Sequence, residues 1–126
     1  MNVEAIRRYC LSFPYVTESV QWEDHLVFKI AGKIFVIADL NPPHHVAFKC
    51  DPEKFAELTE IDGIIPAPYL ARAKWVSVQR HDALDAHELK ELIRNSYEMV
   101  RAKLPRRLQA KLKNGTVAKR YVSDSV

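Results

Sequence analysis

Three short runs carry side chains whose types could do chemistry. Glu23-Asp24-His25 sets two carboxylates beside an imidazole, the donors of a metal site or an acid–base pair. It falls between Trp22 and Leu26, where a hairpin loop belongs, and reads as a solvated turn. His44-His45, with Cys50 nearby, offers nitrogen and sulfur ligands to a transition metal. Neighbours on a strand point to opposite faces, so the two imidazoles do not readily share one ion, and the pair reads as a strand entry. His81-Asp82 reads as loop before a helix cap. Cys10 lies on the apolar face of the first helix. Cys50 adjoins Asp51, whose carboxylate disfavours a thiolate. No serine sits in a nucleophile-elbow context. The three glycines, Gly32, Gly63 and Gly115, are scattered, and a phosphate-cradling loop needs them clustered between a strand and a helix. The expectation is a protein that is not an enzyme and holds no metal or cofactor.

Binding chemistry is better represented. Tyr69 follows the proline-rich stretch Ile64-Ile65-Pro66-Ala67-Pro68 and is flanked by Arg72 and Lys74. An aromatic ring beside cations can stack on a base while the cations meet phosphate. The plain alternative is a tyrosine packed on the prolines. Charge is also uneven. Met1 to Val100 holds 11 basic and 15 acidic residues, a net −4, whereas Arg101 to Val126 holds 8 basic residues and Asp124, a net +7. A basic end suits nucleic acid or another acidic surface, and equally describes a solvated helix end with a loose tail.

The elements that must position these residues follow from spacing. Asn2 can cap a helix in which Val3, Ile6, Cys10 and Phe13 share a face, and Pro14 ends it. Strands are expected over Ser19–Trp22, Leu26–Ile30, Lys33–Leu40 and His45–Cys50. Ala31-Gly32 forms the turn of a hairpin, and Asn41-Pro42-Pro43 makes another turn. Asp51-Pro52 opens a second helix that Asp62-Gly63 stops. The segment from Ile64 to Pro68 is extended, Tyr69 to Lys74 makes a short helical turn, and Trp75–Gln79 is the fifth strand. Asp85 and Glu88 match a capping box. Behind them Leu89, Leu92, Ile93, Ser96, Tyr97, Val100 and Leu104 form an amphipathic stripe. Pro105 breaks it, and Leu108 and Leu112 allow a short continuation. The six aromatics Trp22, Phe28, Phe35, Phe48, Phe55 and Trp75 fall in these elements and are expected in the core. The fold class is α+β, an antiparallel sheet of about five strands with helices on one face.

The 126 residues, 48% hydrophobic and 28% charged, fit one globular domain over 1–112, followed by a basic, loose tail over 113–126. Two cysteines forty positions apart make neither a disulfide framework nor a zinc pattern. The first ten residues lack an apolar signal core. The most apolar run, Ile34 to Ala38, is too short for a bilayer. A cytoplasmic protein with no membrane partner is expected, monomeric rather than oligomeric.

Four pieces in order carry a family resemblance. They are Phe28-Lys29-Ile30-Ala31-Gly32-Lys33-Ile34-Phe35, then Phe48-Lys49-Cys50-Asp51-Pro52. Pro66-Ala67-Pro68-Tyr69 with Lys74-Trp75-Val76 comes next, and last Leu92-Ile93 with Ser96-Tyr97. Together they resemble the MmcQ/YjbR family over roughly residues 1–104. The resemblance implies a sheet backed by helices, like the bacterial frataxin homologue, and the DNA-binding, double-wing label attached to that family. Phe13-Pro14-Tyr15 departs from the family's usual Leu-Pro-Gly.

On this reading Lys29, Lys33 and Lys49 meet DNA phosphates from the sheet and hairpin. Tyr69, Arg72 and Lys74 add contacts, and Lys111, Lys113, Lys119 and Arg120 anchor the complex electrostatically. The acidic body opposes this unless the cations gather in space. The alternative is a protein-interaction or regulatory domain that uses the 64–75 loop. Iron handling of the frataxin kind needs carboxylates crowded on the first helix, which offers only Glu4 against Arg7 and Arg8, so it is not expected.

Overall fold

The side chain of Asn2 accepts from the Ala5 N–H and starts α1, Val3–Leu11. In the computed structural model, which describes residues 1–114, four strands follow. They are β1 (Val16–Gln21), β2 (His25–Ile30), β3 (Lys33–Asp39) and β4 (Val46–Lys49). Asp51 caps α2, Pro52–Leu58, through the Lys54 N–H, with Pro52 in its first turn. Next come β5 (Ile64–Pro66), a 3₁₀ turn (Ala71–Ala73) and β6 (Trp75–Val78). The capping box of Asp85 and Glu88 is present in both directions at the head of α3, Ala86–Ala102. After Pro105 the chain re-enters a helix, α4, Arg106–Asn114. Of the expected tail, 113–126, the first two residues belong to α4, and the rest, from Gly115 onward, lies outside the described residues.

All six strands are antiparallel, in the order β1-β2-β3-β4-β6-β5. The sheet therefore has one strand more than expected. Ile64 to Pro66, read as a stiffened loop, pairs with Val78 to Val76. Its proline is tolerated because the strand lies at the sheet edge. At the opposite edge β1 begins at Val16 rather than Ser19 and stops before Trp22, which takes φ 51° in the turn to β2.

The sheet has two unlike faces. Phe28, Val36, Phe48 and Val76 stand in register across four strands and are fully buried. They join Ile6 and Cys10 of α1, Leu58 of α2, and Leu89, Leu92, Ile93 and Tyr97 of α3 in one core. On the other face the register row is Val27, Ile37, Ala47, Ser77 and Ile65. Among the described residues the core that the helices form includes none of this row. It is partly roofed by the segment after β5, which is tied down by Ala67 N–H to Trp75 O and Trp75 N–H to Leu70 O.

A bulge in β3 sets which side chains share each face. Ile30 pairs with Lys33 and Lys29 with Ile34, but Phe28 pairs with Val36, so Phe35 is the extra residue. Its ring turns into the core against Phe13 and Tyr97. Its carbonyl accepts from the buried Ser96 hydroxyl at 2.7 Å, and the Ser96 Oγ in turn accepts from the Lys49 N–H at 3.1 Å.

Candidate functional site

Strand direction sorts the charges into two ends. β2 runs toward the Ala31-Gly32 turn, β4 runs the same way and ends at Lys49, and β6 starts beside it at Trp75. α3 begins after β6 and runs back down the sheet, so Lys103 arrives at this same end. Lys49 registers it directly: burial first, then the charge of Lys103, lowers its ammonium pKa. The Lys49 Nζ donates to Ala73 O at 2.8 Å, between Arg72 and Lys74. Five of the expected cations, Lys29, Lys33, Lys49, Arg72 and Lys74, thus share one end of the sheet with Lys103, Arg106 and Arg107. Lys33, Arg72, Lys103, Arg106 and Arg107 are exposed, while Lys29, Lys49 and Lys74 are partly covered. Lys74 has a second engagement, its Nζ 5.0 Å from the centre of the Phe55 ring. Acids at this end are fewer and partly engaged, as in Lys54–Glu57 at 2.9 Å and Arg101–Glu98 at 3.6 Å.

Lys111 is exposed on α4. The side chain of Lys113, and all of Lys119 and Arg120, lie outside the described residues. Tyr69 stands fully exposed with φ 66°, so the packing on prolines is not formed. Trp22, expected in the core, is 60% exposed because β1 ends before it. Trp75 is buried as expected.

The other end is acidic. Glu23, Asp24, Asp39, Asp62, Asp82, Asp85 and Glu88 lie in its turns and caps, and Arg80 there is held by Asp62 and Asp82. On the open sheet face at this end lies a cavity of about 310 Å³. Ile37, Ala47, Ala67 and Pro68 give it apolar walls, and His25, Asp39, His45, Ser77, Gln79 and Tyr69 give it polar groups. Asp39 Oδ1 is 3.1 Å from His25 Nε2, and Asp39 Oδ2 is 3.9 Å from His45 Nδ1. Gln79 Nε2 lies 3.5 Å from that same His45 nitrogen. His25 Nδ1 is 2.8 Å from Asp24 Oδ1, yet it is buried and makes no aligned hydrogen bond. Sequence spacing keeps the two histidine runs apart and passes over Asp39. The β2–β3 register unites them, placing His25 opposite Asp39, and His45 follows from the Asp39 N–H to His45 O bond. Among the described residues no group of three or more His, Cys, Asp or Glu is arranged to hold a metal ion.

The two cysteines are free and buried. Burial pushes the Cys10 thiol up to about 12. Burial and the neighbouring Asp51 push Cys50 up to about 11. Neither is poised as a nucleophile at neutral pH. Among the described residues no helix is long and apolar enough to cross a membrane.

A YjbR family model matches residues 11–99, which span β1 through most of α3. The chain belongs to the YjbR family. Its relative in Escherichia coli O157:H7, "uncharacterized protein YbdF", is 29% identical over 117 residues, covering 89% of this chain and 94% of that one. Among solved structures, Deinococcus radiodurans protein DR2400, with a DUF419 domain, superposes with TM-score 0.81 at 28% identity, covering 89% of this chain and 88% of that one. A Pseudomonas syringae protein shares the fold at TM-score 0.66 and 23% identity, over 79% of this chain and 98% of the other. The matched part of this YjbR chain contains the sheet, the bulge and both histidine runs. α4 and the basic residues beyond it lie outside the match.

Proposed function

We propose that this YjbR chain is a non-enzymatic binding domain that engages nucleic acid, DNA in the first instance, through the basic end of its sheet. One observation carries the reading. The fold gathers Lys29, Lys33, Lys49, Arg72 and Lys74 with the head of α4, and sets seven of the fifteen acids of the body at the opposite end. Clustering of this kind supplies the local positive field that net charge lacks. Exposed Tyr69 adds a ring on which an unpaired base can stack.

The test is binding to duplex and to single-stranded DNA across a salt series. Log affinity should fall linearly with log salt, and each phosphate contact removed should flatten the duplex slope by about 0.9. Lys33→Glu with Arg72→Glu should flatten it by roughly two units, equally for unrelated sequences, because phosphate contacts carry no sequence information. Absence of binding at low salt would reject the reading. The alternative then takes its place, a protein-interaction domain using the 64–75 loop, favoured by the exposed Ile65 and Tyr69.

A further inference from the structure

We infer that the cavity on the open sheet face is a binding site for a planar organic cation, a guanidinium or amidinium on an apolar stem. The inference does not rest on nucleic-acid binding, with which it shares only the Tyr69 ring, because the carboxylate and imidazoles of the cavity lie at the acidic end of the sheet. Its volume of about 310 Å³ is at the lower bound of ligand pockets. Asp39 is the carboxylate in its wall, and it is part-exposed there. Gln79 Nε2 approaches His45 Nδ1 at 3.5 Å, the outer limit of a hydrogen bond. Asp39 Oδ2 lies 3.9 Å from the same nitrogen, beyond hydrogen-bond reach. The Gln79 carbonyl and the Ser77 hydroxyl add acceptors to the same cavity.

A guanidinium matches this set. It is flat, carries five N–H donors and accepts nothing, so it uses acceptors that a carboxylate or phosphate ligand would find repulsive. Ile37 and Ala47 form the floor on which an apolar stem rests, and Pro68 walls one side. At the rim the Tyr69 ring is fully exposed and available to stack on a planar cation. Asp24 and Glu23 lie just outside, in the turn that holds Trp22 edge-on to His25, 5.7 Å between ring centres, and add negative potential. The cation could arrive as a free small molecule or as an arginine side chain of a protein, with the same chemistry at the site.

The experiment titrates the whole protein with agmatine, with an acetylated arginine-containing peptide and with the same peptide carrying the neutral isostere citrulline in place of arginine, reading backbone amide shifts and calorimetric heat. Agmatine or the arginine peptide should shift the amides of Ile37, Ala47 and Ser77, and the citrulline peptide should not. Asp39→Asn should weaken binding at least tenfold with the melting temperature retained, in keeping with a part-exposed charge-assisted pair. Tyr69→Ala, which removes an exposed ring and leaves the fold alone, should weaken it about threefold. It answers the question even if Asp39→Asn does not fold. Peptide binding tighter than agmatine identifies a protein source, and equal binding identifies a small molecule. The inference is overturned if no outer-face amide moves at millimolar ligand, or if the citrulline peptide binds as well as the arginine peptide. DNA binding is read separately, by the salt slope of the parent protein on duplex DNA, and stands or falls without either result.

Discussion

Ser96 shows how much one buried hydroxyl can settle. It is completely buried, donates to the Phe35 carbonyl freed by the bulge, and accepts from the last N–H of β4. Ser96→Ala leaves a buried donor and a buried acceptor unpaired, and should cost about 1–3 kcal/mol in denaturant melts. A loss within measurement error would mean that water replaces the hydroxyl. Three other buried groups predict a base-labile fold. Burial pushes Cys10 to about 12, Cys50 to about 11 and Tyr97, whose hydroxyl donates to Pro14 O, to about 12. Each folded value lies above its ordinary one, so the folded state holds these protons more tightly than the unfolded chain does. Their contribution is complete below about pH 9 and is lost as pH rises from there toward 12. Lys49, lowered by burial, works in the opposite direction. The melting temperature should therefore fall between pH 9 and 11, and Cys10→Ala should make that fall shallower.

At the scale of elements, two turns depend on glycine for different reasons. In the β2–β3 hairpin both Ala31 and Gly32 have positive φ, 50° and 81°, the twist that a tight two-residue turn requires. A Cβ on Gly32 meets nothing within 4 Å, so Gly32→Ala carries only backbone strain, about 1–2 kcal/mol. Gly63 enters β5 at φ 97°, and a Cβ there would meet Arg80 Cβ at 2.9 Å. Arg80 is meanwhile held by Asp62 and Asp82 and does not move away freely. Gly63→Ala should therefore destabilise more than Gly32→Ala in parallel urea titrations. The reverse order would show that β5 contributes little to the fold. α1 is fastened to the opposite edge strand by Arg7, whose Nε and Nη2 donate to the two Glu18 oxygens at 2.8 and 2.9 Å.

For the whole molecule the governing feature is polarity along the strands, with cations at the hairpin end and acids at the cap end. Net charge alone ranks variants wrongly in such a molecule, because attraction to a polyanion acts over about a Debye length. Lys33→Glu with Arg72→Glu should elute from immobilised heparin at lower salt than the parent. Glu23→Lys, at the far end, should elute with the parent although it is the more basic protein. Elution ordered by net charge instead would show that the two ends act as one field.

Composition, helix periodicity and turn chemistry were enough to read the α+β class, all four helices, the capping box and five of the six strands, because these rest on contacts close in sequence. The stripe from Leu89 to Leu104 and the Ala31-Gly32 turn could be read as they stand. What escaped depends on pairing across the sheet. Ile64 to Pro66 has no strand pattern of its own and becomes β5 only because β6 offers an unpaired edge. Counted back from the turn without a bulge, His25 would face Ala38. The extra residue at Phe35 shifts the register by one and turns Asp39 to the open face beside His25. Neither the gathering of the lysines nor the joining of the two histidine runs could be read along the chain. Both follow from strand direction and register, which long-range hydrogen bonding and burial decide together.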